Sequence, residues 1–286
     1  MQASIILPAY NEGAHIQSVL LELLQHLREH HGNVEVLVVD DGSTDATAME
    51  ATMPGVRVIR HLTNKGYGAA LKNGIRAATG EWCITYDADH QHTPDLLDVI
   101  FKACTDEADL VIGQRMGYTS PWIRRPGKRL LAWVAEYLTE AKIPDLNSGL
   151  RAFRRERFLA YAHLFPNGFS LSTTSTVCFL KEKLNVVFVP IRIQPRKGKS
   201  TVRASDGGKT FMLIFRLIML FSPLRIFLPT SILCGLIALA VLIQDIFIDR
   251  NISDSALVML SLTGLLFFFG LLADQVAAVR REINRQ

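Results

Sequence analysis

Asp87 and Asp89 stand two residues apart at the end of an apolar run, Trp82 to Tyr86. If that run is a strand, the spacing sends both carboxylates to one face. Paired hard oxygen donors at an open strand end suit Mg²⁺ or Mn²⁺, which are held by one or two carboxylates plus substrate phosphates. Taken alone, an Asp-x-Asp fits a solvated acidic turn equally well. His90 and His92 read as solvated loop residues, because carboxylates suit these ions better than imidazole does. Pro94 and the spacing of Leu96, Leu97, Ile100 and Phe101 then predict a helix.

Similar polar clusters close other apolar runs. Ser4 to Leu7 ends in Pro8-Ala9-Tyr10-Asn11-Glu12-Gly13, and Val34 to Val39 ends in Asp40-Asp41-Gly42-Ser43-Thr44-Asp45. Ser43 or Thr44 is placed to cap the helix that follows. Val56 to Ile59 is a third strand, and Asn64-Lys65-Gly66-Tyr67-Gly68 leads into a helix through Ala69, Leu71 and Ile75. Leu110 to Ile112 is a fifth strand, running out at Gln114-Arg115. Between the first two strands, Ile16, Val19, Leu20, Leu23, Leu24 and Leu27 mark one face of a helix. Strands alternating with helices predict an α/β unit with a mainly parallel sheet. Ligands bind outside the carboxyl ends of such strands, and Pro8, Asp40, Asn64, Asp87 and Arg115 all fall there.

The middle third is less regular. A helix opened by Arg124, Arg125, Lys128 and Arg129 carries an apolar face of Leu130, Leu131, Val134 and Leu138. Those cations are either a solvated face or a patch for anionic lipid headgroups. Asp145 to Arg154 reads as a loop leading into a helix, and Asp145 is either a spare carboxylate or the partner of Arg151 or Arg154. Val186 to Ile193 reads as a strand, followed by a basic loop from Pro195 to Arg203.

Apolar residues make up 49% of the 286-residue chain, and the excess lies towards its C-terminus. Lys209 to Phe221 predicts an interfacial helix, the alternative being a buried core helix. Ile226 to Ile243 and Ala256 to Leu272 predict two membrane spans. Asp245, Asp249 and Asp254 crowd the connector, whereas Arg280, Arg281 and Arg285 follow the second run, which predicts a cytoplasmic globular part and C-terminus. The net charge of +4 is too weak to argue for nucleic acid and fits a membrane surface. The four cysteines, Cys83, Cys104, Cys178 and Cys234, show no paired spacing and read as reduced thiols. No basic and apolar leader precedes Ser4, so no signal peptide is expected.

Pro8 to Glu12, Asp40 to Asp45, Asn64 to Gly66, Asp87 to Gln91 and Asp145 to Arg154, in that order, resemble the motifs of family 2 glycosyltransferases. More narrowly, they resemble the polyprenyl-phosphate enzymes typified by dolichol-phosphate mannose synthase and its bacterial undecaprenyl-phosphate relatives. The likeness covers roughly Ser4 to Arg203, and the two spans match the bacterial members. It implies a GT-A fold, Rossmann-like with a mainly parallel sheet, over residues 1–206. An interfacial helix over 207–225 and a two-helix transmembrane hairpin with a short basic tail over 226–286 would follow.

The resemblance further implies that Pro8, Tyr10, Glu12, Val39 and Asp41 hold the nucleoside, with Asp40 close by. Asp87, Asp89 and Gln91 would bind Mg²⁺ or Mn²⁺, Asp87 and Ala88 would touch the nucleotide, and Arg115 would contact phosphate. Arg196, Lys199 and Arg203 would belong to a basic lid over the phosphates. With Ser200 aligned, the family's Arg falls one position from Arg196 and its Lys falls on Thr201. Ser172 to Ser175 stands where many relatives carry a Glu near the acceptor.

The expected reaction moves one sugar from a GDP- or UDP-linked donor to a polyprenyl phosphate, with inversion as the resemblance implies, and is compatible with a homo-oligomer. Such an acceptor is already anionic and needs no strong base, whereas a sugar hydroxyl must lose a proton. The catalytic set is then Asp89 and Arg115, with Asp145 the base if one is needed. Elongation of a glycolipid or saccharide, and a non-catalytic nucleotide-sugar-binding subunit, are the alternatives.

Overall fold

Seven strands carry the N-terminal part of the protein: β1 (Ala3–Ala9), β2 (Glu35–Asp40), β3 (Val56–Arg60), β4 (Trp82–Thr85), β5 (Leu110–Arg115), β6 (Arg151–Arg154) and β7 (Val186–Ile191). The computed structural model describes residues 2–32, 34–88, 92–117, 125–193, 206–249 and 251–282. The chain forms two compact units, Met1–Gly207 and Gly208–Gln286.

In the first unit the strands form one sheet in the order β3-β2-β1-β4-β6-β5-β7. All pairings are parallel except those of β6, which runs antiparallel to both β4 and β5. The chain winds outward from β1 to β3 and then returns to place β4 against the other side of β1. That reversal separates the carboxyl ends of β1 and β4, which is where doubly wound sheets bind ligands. This is the GT-A fold.

Helices cover the sheet: α1 (Ile16–His30), α2 (Thr47–Glu50), α3 (Tyr67–Ala77), α4 (Leu96–Ala103), α5 (Arg125–Thr139), α6 (Arg155–Tyr161) and α7 (Leu171–Lys181). α1 buries Ile16, Val19, Leu20, Leu23, Leu24 and Leu27, the face its sequence period marks out. Each such side chain contributes roughly 1.5–3 kcal/mol on burial, so this stripe is what holds α1 to the sheet. On α5 the buried face is Leu131, Val134, Ala135 and Leu138, while Leu130 is half exposed, unlike the sequence expectation. Arg151–Arg154, expected within a loop, is the central antiparallel strand.

In the second unit, α8 (Asp206–Phe221) precedes α9 (Leu224–Gln244) and α10 (Asp254–Glu282). The stretches Leu224–Phe247 and Asp254–Glu282 are long and apolar enough to cross a membrane, each holding an 18-residue segment whose mean hydropathy is 2.6 in the first and 2.4 in the second. α9 and α10 pack as a hairpin, in which the Ser231 hydroxyl donates to the Thr263 carbonyl at 3.1 Å. In the connector the Asp245 carboxylate accepts bonds from the Ser253 N–H and hydroxyl at 2.8 and 2.5 Å.

Candidate active site

The loops after β1 and β2 are built from each other's polar groups. The Asn11 N–H donates to Ser43 Oγ at 2.9 Å, and Asn11 Oδ1 accepts the Thr44 N–H at 2.9 Å. The Glu12 N–H donates to Thr47 Oγ1 at 2.8 Å, and Asp45 accepts the N–H groups of Gly13 and Thr47, each at 3.0 Å. Asn11 adopts φ 54°, a conformation Asn tolerates better than most residues. Asp45, and neither Ser43 nor Thr44, therefore receives the first N–H of α2. Ser43 and Thr44 are used between the loops instead.

Asp40 and Asp41 are both buried but point to different partners. Asp40 accepts the Ser43 N–H at 2.9 Å and lies 3.1 Å from Arg60 Nε, its cross-strand neighbour on β3. Asp41 accepts the N–H groups of Lys65 and Gly66 at 2.9 and 2.8 Å. It also receives His61 Nδ1 at 2.7 Å, while the Asn73 amide donates to His61 Nε2 at 2.7 Å. Asp41 thus ties the turn before α3 to the end of β2. Gly66 is required there: its φ is 97°, and a Cβ would lie 2.6 Å from the Asn167 carbonyl.

Asp87 follows β4 and is half buried. Its Oδ1 accepts the Tyr67 hydroxyl at 3.3 Å, and His92 Nδ1 is 4.0 Å from its Oδ2. The carboxylate rests on Gly149, where a Cβ would stand 2.3 Å from Oδ2. The buried Tyr86 hydroxyl donates to the His92 carbonyl at 2.5 Å. Thr85 Oγ1 donates to the Gly149 carbonyl at 2.5 Å, so the end of β4 and the loop before β6 are one assembly.

Arg115, at the end of β5, meets Asp145 in a bidentate pair, Nε to Oδ2 at 2.7 Å and Nη2 to Oδ1 at 2.8 Å. Burial works to raise the Asp145 carboxyl. The Arg115 side chain and the N–H groups of Arg115 and Asn147 outweigh it and hold the carboxyl below its ordinary value. Asp145 is consequently a poor proton acceptor. Its partner is Arg115 rather than Arg151 or Arg154.

Arg151 is wholly buried and donates to the carbonyls of Leu146, Ser148 and Ser172 and to Thr176 Oγ1, at 2.7–2.9 Å. Burial pulls its pKa down to about 10, which still leaves it charged at pH 7. It clamps the 145–150 loop onto α7.

These elements enclose a cleft of about 590 Å³ over the carboxyl ends of β1 and β4. Of the residues expected at a nucleotide site, Pro8, Tyr10, Glu12, Asp41, Asp87, Ala88 and Arg115 line it. Val39 and Asp40 are buried behind it, and Asp145 reaches it through Arg115. Asp89, Gln91, Arg196, Lys199 and Arg203 lie outside the described residues, as does the basic lid. Ser172, noted in the sequence as standing near the acceptor, also lines the cleft, as do Tyr67, Asn147, Gly149, Phe169 and Ile193, which the sequence reading did not single out. Asn147 and Gly149 were within reach, since they lie inside the Asp145 to Arg154 motif. Phe169, 81% exposed and stacked on Tyr67 at 5.0 Å, carries no pattern that would reveal it.

The donor set at the cleft suits a hard divalent cation. Asp87 offers carboxylate oxygens at a position kept open by the missing Cβ of Gly149. Burial pushes Cys83 and Cys104 up to about 12, so neither is a thiolate at neutral pH.

The family model for glycosyl transferase family 2 matches residues 4–165, and that for the GtrB C-terminal hairpin matches residues 222–279. Glycosyltransferase AglJ of Haloferax volcanii is 28% identical, over 97% of this chain and 94% of its own. A dolichyl-phosphate hexose transferase of the same organism is 30% identical, over 72% of this chain and 88% of its own. Among solved structures, glucosyl-3-phosphoglycerate synthase from Mycobacterium tuberculosis, in complex with Mn²⁺, UDP-glucose and phosphoglyceric acid, superposes with a TM-score of 0.61. It is 21% identical and covers 76% of this chain and 78% of that one. The matched family model spans more than half of the chain and all of the motifs from Pro8 to Arg154, and the chain belongs to glycosyl transferase family 2.

Proposed function

We propose that the protein transfers a single sugar from a nucleoside diphosphate sugar to a polyprenyl phosphate at a membrane surface. The observation that carries the acceptor class is the Arg115–Asp145 pair. It neutralises the spare carboxylate beside the cleft, and an acceptor that is already anionic needs no base. The dolichyl-phosphate hexose transferase relative and the match to the GtrB hairpin support the same reading.

Pro8, Tyr10, Glu12 and Asp41 form the wall where the nucleoside would lie, and Asp41 keeps that wall in place through the Lys65–Gly66 turn. Asp87 and Asp89, with Gln91, would hold Mg²⁺ or Mn²⁺. When bound, that ion neutralises charge on the diphosphate leaving group. Arg115, positioned by Asp145 at the cleft edge, adds a fixed positive charge there. Arg196, Lys199 and Arg203 would add cations on a basic lid. The hairpin would keep a lipid acceptor within reach of the catalytic unit, with that unit and the C-terminus on the cytoplasmic side.

The full-length protein is to be incubated with labelled UDP- and GDP-sugars and a short-chain polyprenyl phosphate. Transfer of label from one donor, dependent on Mg²⁺ or Mn²⁺ and abolished by EDTA or Asp87→Asn, is expected. A protein that binds the donors but turns over none of them would be a binding subunit instead.

A further inference from the structure

A second group of ligand-type side chains lies away from the cleft, where the end of α1 meets the first turn of α4. α1 ends in the sequence His26-Leu27-Arg28-Glu29-His30-His31. His31 has left helical geometry, with φ −129° and ψ −4°, and this brings its ring back towards that of His26. His26 Nε2 lies 2.9 Å, and His31 Nε2 2.6 Å, from the same oxygen, Oδ1 of Asp98. The three ligand atoms all fall within 4.8 Å of one another.

The rings are held in place. His26 stacks on His30 at 4.4 Å, His31 packs on Phe101 at 4.2 Å, and His30 Nδ1 bonds the His26 carbonyl at 3.0 Å. All three ligands are only partly exposed, with side-chain exposures of 15%, 18% and 33% for His26, His31 and Asp98.

We propose that His26, His31 and Asp98 bind a borderline transition-metal ion of the Zn²⁺ class, at a site separate from the carboxylates of the cleft. Two imidazole nitrogens and one carboxylate oxygen suit Zn²⁺, Co²⁺ or Ni²⁺ far better than Mg²⁺. With metal–ligand bonds of about 2.0–2.1 Å, tetrahedral donors stand about 3.3 Å apart. The present contacts would open by about half an ångström, which rotation of three partly exposed side chains supplies. Three protein ligands leave the fourth position to water. A metal there joins the end of α1 to the helix that directly follows the Asp87–His92 loop. It is a stiffening site and takes no part in the transfer chemistry.

The test uses tag-free, full-length protein, stripped of metal and supplied with excess Mg²⁺ to occupy the hard site. Titration with Co²⁺ is expected to produce one equivalent of bound ion with visible d–d absorption, displaced by Zn²⁺. It is also expected to raise the thermal midpoint. The absorption and the rise should both disappear in His26→Gln/His31→Gln and persist in Asp87→Asn. Co²⁺ absorption that survives the double histidine variant, that is lost in Asp87→Asn, or that never develops in the wild type would overturn the proposal. Should the double variant fold poorly by circular dichroism, Asp98→Asn, at a one-third exposed position, gives the same reading.

Discussion

Arg115 and Asp145 are each other's main partner, and their separation has consequences in both directions. Arg115→Ala leaves a mostly buried carboxylate without its counter-ion, and should destabilise the catalytic unit by about 3 kcal/mol in chemical denaturation. Asp145→Asn keeps an acceptor for Arg115 and should cost less. The two effects also differ with pH. Asp145 has a folded value below its unfolded one, so its contribution is present above the unfolded value of about 3.9. It is lost as the pH falls through the folded value. The stability gap between wild type and Asp145→Asn should therefore narrow in acid; a gap that widened would contradict the assignment. At Gly149 the argument is steric. Gly149→Ala places a Cβ against Asp87 Oδ2 and should cut turnover on the order of 10²-fold, as a displacement of about 1 Å can. Circular dichroism should be unchanged, because the residue does not adopt a left-handed φ.

At the level of elements, α1 was legible because its burial has a period, and the parallel strands because their apolar residues run together. Ile16 to Leu27 follows the helical repeat, and Val36 to Val39 of β2 is a continuous apolar run buried on both faces. β6 was hidden because Arg151-Ala152-Phe153-Arg154 begins and ends with a cation, and four residues are too few for an alternation to stand out. Its Arg151 is a buried side chain of a type that sequence reasoning sends to the surface. The carbonyls that pay for that burial come from 145–150 and α7, which are distant in pattern but not in space. Arg151→Met should leave the Leu146, Ser148 and Ser172 carbonyls short of a donor, at about 1–3 kcal/mol each. A denaturation midpoint close to wild type would show that the 145–150 loop has another anchor. The cleft was legible where its residues sit on strand ends, as Pro8, Asp41, Asp87 and Arg115 do. Phe169 and Ser172 enter it from a turn and a helix start whose approach only the tertiary fold decides.

For the whole molecule, the donor cleft lies wholly within the unit ending at Gly207, and the two long apolar helices lie wholly in the other. A chain ending after Ser222 should therefore bind nucleotide as the full protein does but turn over long-chain acceptor poorly. Loss of nucleotide binding in that truncation would contradict this division. The central claim, an acceptor that supplies its own negative charge, is tested most directly by offering the full-length protein three acceptors with one labelled donor. These are a polyprenyl phosphate, the same polyprenol without phosphate, and an oligosaccharide, with the products identified by mass. A sugar joined to the lipid phosphate, with no product from the alcohol or the saccharide, is the predicted result. Transfer to either hydroxyl acceptor at a comparable rate would contradict it.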